Sequence, residues 1–171
     1  MTLDRLWAGW RSAYISEVTV DPSINEGRDG RSLFEGILHS GLPDREAFIL
    51  WRGQRCFALL NAYPYGTGHI LVLPNRAVAE LDGLTAEESG ELWHGVNQAV
   101  GAVRAAYRPD GVNVGANLGS AAGAGVPDHL HFHVLPRWAA DSNFTTAIAE
   151  TRVLPEPLDV TWTKLTAAWP A

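Results

Sequence analysis

One stretch of eleven residues, Asp128-His129-Leu130-His131-Phe132-His133-Val134-Leu135-Pro136-Arg137-Trp138, limits what this chain can fold into more than any other. Histidine alternates with large apolar residues, and a period of two is the mark of a strand with one face buried. In a strand, residues two apart share a face and stand about 6.5–7 Å apart. His129, His131 and His133 are therefore expected in one row, with Leu130, Phe132 and Val134 turned the other way. Half of the chain's six histidines would stand on that face.

Three readings of the row compete. Neutral imidazoles bind zinc, and His-x-His on a strand presents two ligands, which would need a third from elsewhere. Alternatively one ring attacks as a nucleophile while its neighbours set its tautomer and protonation state. A third reading is a core strand that happens to carry histidine. The preceding segment favours nucleophilic chemistry. Gly111–Leu118 reads as a strand, and it is followed by Gly119-Ser120-Ala121-Ala122-Gly123-Ala124-Gly125-Val126, a loop of small residues. Glycines allow close backbone approach, and successive N–H groups in such turns cradle anions. A phosphate group beside a histidine nucleophile is the chemistry this juxtaposition suggests.

On these residues the chain resembles the histidine-triad superfamily. His129-Leu130-His131-Phe132-His133-Val134-Leu135 matches the pattern His-x-His-x-His followed by two apolar residues. Gly68-His69-Ile70-Leu71-Val72-Leu73-Pro74 is similar to the superfamily's second signature, a glycine-histidine leading into an apolar strand. The resemblance runs from about Phe34 to Phe144. Asn61-Ala62-Tyr63-Pro64-Tyr65, Pro136-Arg137-Trp138 and Asp141-Ser142-Asn143-Phe144 look closest to the actinobacterial diadenosine tetraphosphate phosphorylases.

The rest of the chain fits one domain with short additions. A length of 171 residues suffices for a substantial core. A net charge of −6 gives no general attraction for nucleic acid or an anionic membrane surface. Neither partner is expected. The single cysteine, Cys56, excludes an internal disulfide, no apolar run reaches transmembrane length, and the N-terminus lacks a signal-peptide core. A cytoplasmic location is expected.

Leu3, Leu6, Trp7, Trp10 and Tyr14 recur at helical spacing, so Leu3–Val18 reads as an amphipathic helix, followed by a polar linker over Val20–Arg31. Ala47–Arg52 and Cys56–Asn61 flank Gly53-Gln54 as a β-hairpin. Leu84–Tyr107 reads as a long helix opened by Thr85 with Glu88 and closed by Arg108-Pro109-Asp110-Gly111. Its apolar stripe is Leu92, Val96, Ala99, Val100 and Val103, and His94 is expected at the solvent edge without a role. Strands near positions 47, 56, 69, 112 and 129 with one long helix predict an α+β fold: a five-stranded antiparallel sheet with the helix packed on it. The expected organisation is residues 1–30 as helix and linker, 31–145 as the histidine-triad domain, and 146–171 as a Trp-containing tail that clasps a partner subunit or covers a pocket.

The resemblance implies the remaining expectations. His131 would attack the α-phosphorus of an adenine nucleotide and form a nucleotidyl-histidine. His129 would lie near the leaving or entering group, and His133 with the loop amides around Ala124, Gly125 and Val126 would hold phosphoryl oxygens. His69 would support the triad's hydrogen bonding, and Asn61 would stand where relatives carry an acidic residue that contacts ribose. Phe34 and Leu59 would line the base pocket, though both read equally well as ordinary core. Asn117 would contact phosphate or ribose, and Arg137 would neutralise a polyphosphate or make a surface ion pair. Many relatives carry Cys-x-x-Cys for structural zinc where this chain has Ser32 and Glu35; serine is a poor zinc ligand, so neither metal nor other cofactor is expected. A homodimer with joined sheets is implied.

Phosphorolysis of diadenosine tetraphosphate to ADP and ATP, with inorganic phosphate as acceptor, is the function the resemblance implies. Hydrolysis of nucleoside phosphoramidates or other adenylates, and nucleotide binding without turnover, are the alternatives. One departure bears on the choice. Relatives carry a hydroxyl or amide side chain at the position of Gly125, and this chain has none there.

Overall fold

The hairpin expected around Gly53 is formed by β1 (Ile49–Arg52) and β2 (Cys56–Leu60), paired antiparallel with a register irregularity between Ile49 and Trp51. The structure is a computed structural model, and it describes residues 30–139, 141 and 156–170. The helix expected over Leu3–Val18, almost all of the linker after it, and Ser142-Asn143-Phe144 lie outside the described residues. The hairpin tip is held from outside, because Glu91 accepts the N–H groups of Gln54 at 2.6 Å and Arg55 at 2.8 Å.

Strands β3 (Ile70–Pro74), β4 (Gly111–Ala116) and β5 (Phe132–Arg137) complete one sheet in the order β1-β2-β3-β5-β4, antiparallel throughout. The α+β class expected from the sequence is the one observed. Alternation sorts the strands onto two faces. Ala58, Leu60, Ile70, Val72, Phe132 and Val134 face the long helix, while Phe57, Leu59, Leu71 and Leu73 face the opposite side.

The long helix α2 (Ala86–Tyr107) begins as its sequence predicts. Thr85 Oγ1 accepts the Glu88 N–H, and the Glu88 carboxylate accepts the Thr85 N–H, a complete capping box. It ends at Arg108, whose φ of 48° is left-handed, immediately before Pro109. Leu92, Val96, Ala99 and Val103 are buried against the sheet as the stripe requires, with Gly95 and Ala102 added. His94 is exposed, its ring tilted toward Trp51 at 6.3 Å.

Two helices were not anticipated. Helix α1 (Leu33–Leu38) is capped by Ser32 and Glu35 in a second capping box, and it lays Phe34 and Leu38 on the sheet face away from α2. Helix α3 (Leu158–Ala168) packs on α2 and β1 of its own domain. Leu165 enters the core, Trp162 Nε1 donates to the Ile49 carbonyl at 2.9 Å, and Trp169 stacks on Trp51. Glu156 collects the Tyr107 hydroxyl at 2.6 Å, the Thr161 hydroxyl at 2.9 Å and Lys164.

One correction falls on the histidine segment itself. Strand β5 starts at Phe132, so of the three histidines only His133 lies within it. Pairing with β3 stops at Val72–Phe132 because the backbone before that point goes elsewhere. Pro74 has no N–H to offer, and Leu130 donates its own N–H to Val78 at 2.7 Å. The alternation survives the loss of the ladder. Leu130, Phe132 and Val134 still enter the core under α2. The histidines stand on the other side.

Candidate active site

The four site histidines come from three places in the chain. His69 sits just ahead of β3, introduced by Gly68 at φ 77°. A side chain there would be strained by that backbone and would also press on Tyr107 and Pro136, at 3.0 and 3.1 Å from a Cβ. His133 comes from β5, opposite Leu71 of β3 and Gly115 of β4. His131 and His129 come from the irregular approach to β5.

Hydrogen bonds fix the tautomers. His131 Nδ1 lies 2.8 Å from the His129 carbonyl oxygen, which can only accept. In the neutral ring Nδ1 therefore carries the proton and Nε2 carries the lone pair. Burial, opposed by that hydrogen bond, pushes the His131 pKa below the ordinary imidazole value, so the neutral ring is the favoured form. The residue with the free lone pair is the middle one of the row, as the nucleophilic reading requires.

The tautomer of His133 is set through a relay. The Tyr65 N–H donates to His69 Nδ1 at 3.0 Å, and the Asn61 side-chain amide lies 3.4 Å from the same atom. With Nδ1 accepting, neutral His69 carries its proton on Nε2, which lies 2.9 Å from His133 Nδ1. His133 then accepts at Nδ1 and presents Nε2–H as a donor. Tyr65 covers the pair, its ring 4.6 Å from His69 and stacked on His133 at 5.5 Å. The rings of His131 and His133 meet edge to face at 5.1 Å. A lone pair and a ring N–H thus stand side by side, suited to a phosphorus atom and one of its oxygens.

His129 is differently placed. Its side chain is fully buried, Nε2 lies 2.8 Å from the Pro74 carbonyl, and Nδ1 lies 2.6 Å from Ser32 Oγ. Burial foremost pushes its pKa down, with the Pro74 hydrogen bond and the Glu35 carboxylate opposing. Both ring nitrogens are engaged by the protein, which fixes the ring and its tautomer.

Phe34 and Leu59 are buried together with Ile49, Phe57, Leu71, Leu73 and Val126. Phe34 lies 5.2 Å from the His131 ring and 5.4 Å from that of His129, which puts an apolar wall beside the nucleophile. Asn61 follows β2 directly, and its Oδ1 accepts the Tyr63 N–H at 2.9 Å. The glycine-rich loop makes a turn of 3₁₀ helix over Ser120–Ala122 between Gly119 and Gly123, both at positive φ. Asn117 reaches across it to the Gly123 carbonyl at 3.4 Å. The Ala124 N–H is turned inward to the Gly119 carbonyl at 3.3 Å, and Val126 packs under Phe34. Arg137 shares the histidine face but stands about 13 Å beyond His133 along the strand. Its guanidinium is taken by Asp141 at 2.7 Å and Asn113 at 2.8 Å.

The sequence assigns no role to Tyr65, and marks Ser32 only as standing where relatives carry a zinc ligand. The Tyr65 contribution is a backbone N–H and a ring stack, neither of which has a sequence pattern. Around Ser32 the donors are one alcohol, the His129 imidazole and a Glu35 carboxylate already accepting from Ser32 and Ala77. That set does not suit zinc, and among the described residues no group of three or more His, Cys, Asp or Glu could hold a metal ion. Among the described residues no helix is long and apolar enough to cross a membrane.

The chain is similar to known proteins. The HIT domain model matches residues 43–140. The chain is 40% identical over 167 residues to the AP-4-A phosphorylase of Mycobacterium tuberculosis, covering 98% of this chain and 85% of that protein. It is 34% identical over 93 residues to a bis(5'-adenosyl)-triphosphatase of Dictyostelium discoideum, 54% of this chain and 62% of the relative. Among solved structures, a Zn-bound histidine triad family protein from Mycobacterium smegmatis superposes with a TM-score of 0.64 at 23% identity, over 80% of this chain and 91% of that one. That likeness bears on the fold alone. With the family's model spanning more than half of the chain and both histidine signatures converging on one face, this protein belongs to the HIT domain family.

Proposed function

We propose that this chain is a nucleotidyl transferase that cleaves diadenosine tetraphosphate by phosphorolysis through a nucleotide covalently held on His131. The observation that carries the reading is the His131 Nδ1–H bond to the His129 carbonyl at 2.8 Å, which leaves Nε2 as the attacking atom. Nε2 forms a bond to the α-phosphorus, the bond from that phosphorus to the bridging oxygen breaks, and ATP leaves. Inorganic phosphate then attacks the same phosphorus, the P–N bond breaks, and ADP is released with His131 restored.

His133 Nε2–H and the loop amides around Gly125 and Val126 hold the non-bridging oxygens, where stabilisation of charge supplies much of the rate. Phe34 and Leu59 offer an apolar wall to the adenine, and Asn61 a hydrogen bond to ribose without the charge of an acid. The path uses neither metal nor other cofactor. The likeness to the mycobacterial AP-4-A phosphorylase over 98% of the chain supports this substrate. A homodimer paired along β4, the sheet edge that exposes Val114, completes the proposal, and a reducing cytoplasmic setting fits the free, buried Cys56.

Water as the acceptor is the second reading, and Gly125 favours it, since that position brings no side-chain donor for phosphate. Turnover of diadenosine tetraphosphate with and without phosphate separates the two. Phosphate-dependent ADP and ATP, absent in His131→Ala, is the expected result. AMP formed at the same rate without phosphate overturns phosphorolysis and leaves the nucleophile in place.

A further inference from the structure

Ser32 lies 97 residues from His129 in sequence, yet its hydroxyl makes a 2.6 Å contact with the ring of the first triad histidine. A carbonyl only accepts, so His129 Nε2 donates to Pro74 and Nδ1 must accept the Ser32 O–H. Ser32 is itself held on both sides. Its Oγ accepts the Glu35 N–H at 3.2 Å, its own N–H donates to Glu35 Oε2 at 2.9 Å, and Glu35 Oε1 receives the Ala77 N–H at 3.1 Å. The start of α1, the segment after β3 and the approach to β5 are thereby locked around one imidazole.

The lock matters because of what the His129 backbone does. The segment Asp128–His131 is outside the sheet ladder, so no strand partner fixes the His129 carbonyl. The clamped ring does so instead, and that carbonyl is the acceptor that turns His131 Nε2 toward substrate. We propose that Ser32 is a positioning residue for the transfer reaction, its hydroxyl fixing the His129 ring and, through it, the carbonyl that orients His131. The inference rests on His131 being the nucleophile.

Ser32 also caps α1, so loss of the hydroxyl has two consequences that must be separated. Ser32→Ala removes the cap and the His129 bond, Ser32→Thr keeps both, and Glu35→Gln weakens the capping box while leaving the hydroxyl on His129. With the full chain, diadenosine tetraphosphate and phosphate, Ser32→Ala should lower kcat about tenfold with KM little changed, the size expected when a buried acceptor loses its donor. Ser32→Thr should restore most of that loss, and Glu35→Gln, which keeps the hydroxyl on His129, should lose clearly less than Ser32→Ala.

A second measurement does not depend on turnover. In nitrogen-15 spectra of labelled protein, the His131 Nδ1 proton should exchange slowly in the wild type, Ser32→Thr and Glu35→Gln, and faster in Ser32→Ala. Unchanged kcat in Ser32→Ala, equal losses in Ser32→Ala and Glu35→Gln, or unchanged ring-proton exchange in Ser32→Ala would each overturn the proposal. A wild type inactive on diadenosine tetraphosphate refutes the substrate instead, and the exchange measurement still decides the role of Ser32.

Discussion

His69, just ahead of β3, and His133 of the adjacent β5 face each other through ring nitrogens 2.9 Å apart, and the pair's tautomer is dictated by a main-chain donor at Tyr65. Turning either ring over would put two acceptors or two donors against each other in a half-buried site. The ring beside the nucleophile is thus kept as a donor by a main-chain N–H acting through His69.

Removing the relay should therefore affect the transition state more than binding. His69→Ala takes away the donor to His133 Nδ1, and the loss expected for an unsatisfied buried acceptor is about 10- to 100-fold in kcat. Single-turnover measurement of nucleotide attachment to His131 checks this. A normal rate of attachment in His69→Ala would show that His133 keeps its orientation without the relay.

Burial sets the pH dependence. His129 and His131 are both pushed below the ordinary imidazole value, so in the folded protein they protonate at lower pH than in the unfolded chain. Between the two values the unfolded state binds more protons, and stability falls as pH falls. Above an unfolded value of about 6.5 the term is fully present. Activity should be flat near neutrality, with an acid limb centred below that value; a pH–kcat/KM profile tests it, and a limb centred higher would contradict the assignment of the neutral ring.

The start of α2 should be acid-sensitive for the opposite kind of group. Glu88 is held at about 2, chiefly by its hydrogen bonds from Arg76 and then from the Thr85 N–H. Its folded value is depressed, so its stabilisation is present above the ordinary carboxylate range and is lost as pH falls from there toward about 2. Glu88→Gln should cost about 1–3 kcal/mol at neutral pH, as for a lost hydrogen bond to a charged group, and the difference from wild type should shrink in acid. Denaturant titrations at several pH values measure both. A difference that does not vary with pH would mean that the carboxylate charge contributes nothing.

What was legible in the sequence were features carried by local pattern. The Gly53 hairpin, the Thr85–Glu88 cap and the stripe from Leu92 to Val103 need only neighbours in the chain, and each formed within a few residues of its expected place. The start of β5 depends on where Leu130 sends its N–H, a contact with Val78 that no periodicity encodes. Helix α1 is written in Ser32-x-x-Glu35, but six residues are too few for a periodic signal, and the same pair stands where relatives carry zinc ligands. The facing of the histidines followed from alternation, whereas their tautomers came from carbonyls and amides that every residue possesses. The engagement of Arg137 by Asp141 and Asn113 lay open in sequence as an ion pair, one of its two expected roles.

The fit of α2 on the sheet supplies the last expectation. Gly95 is buried where the helix crosses β1 and β3, and a Cβ there would come within 2.9 Å of Trp51 Cζ3 and of Val72 Cγ1. Val72 has no exposed surface and Trp51 is stacked on Trp169, so neither can retreat without disturbing other contacts. Alanine gains about 1 kcal/mol in helix propensity over glycine, against an overpacking cost of about 1–3 kcal/mol, so Gly95→Ala should be neutral or mildly destabilising. Valine gains less propensity and adds two methyl groups to the same contact. Gly95→Val should therefore lose about 2–3 kcal/mol by denaturant titration, with a smaller loss for alanine. The histidines lie on the other face of the sheet, so kcat measured on the folded fraction should stay near wild type. A large fall in kcat per folded molecule would show instead that the packing of α2 is transmitted through β3 and β5 to the triad.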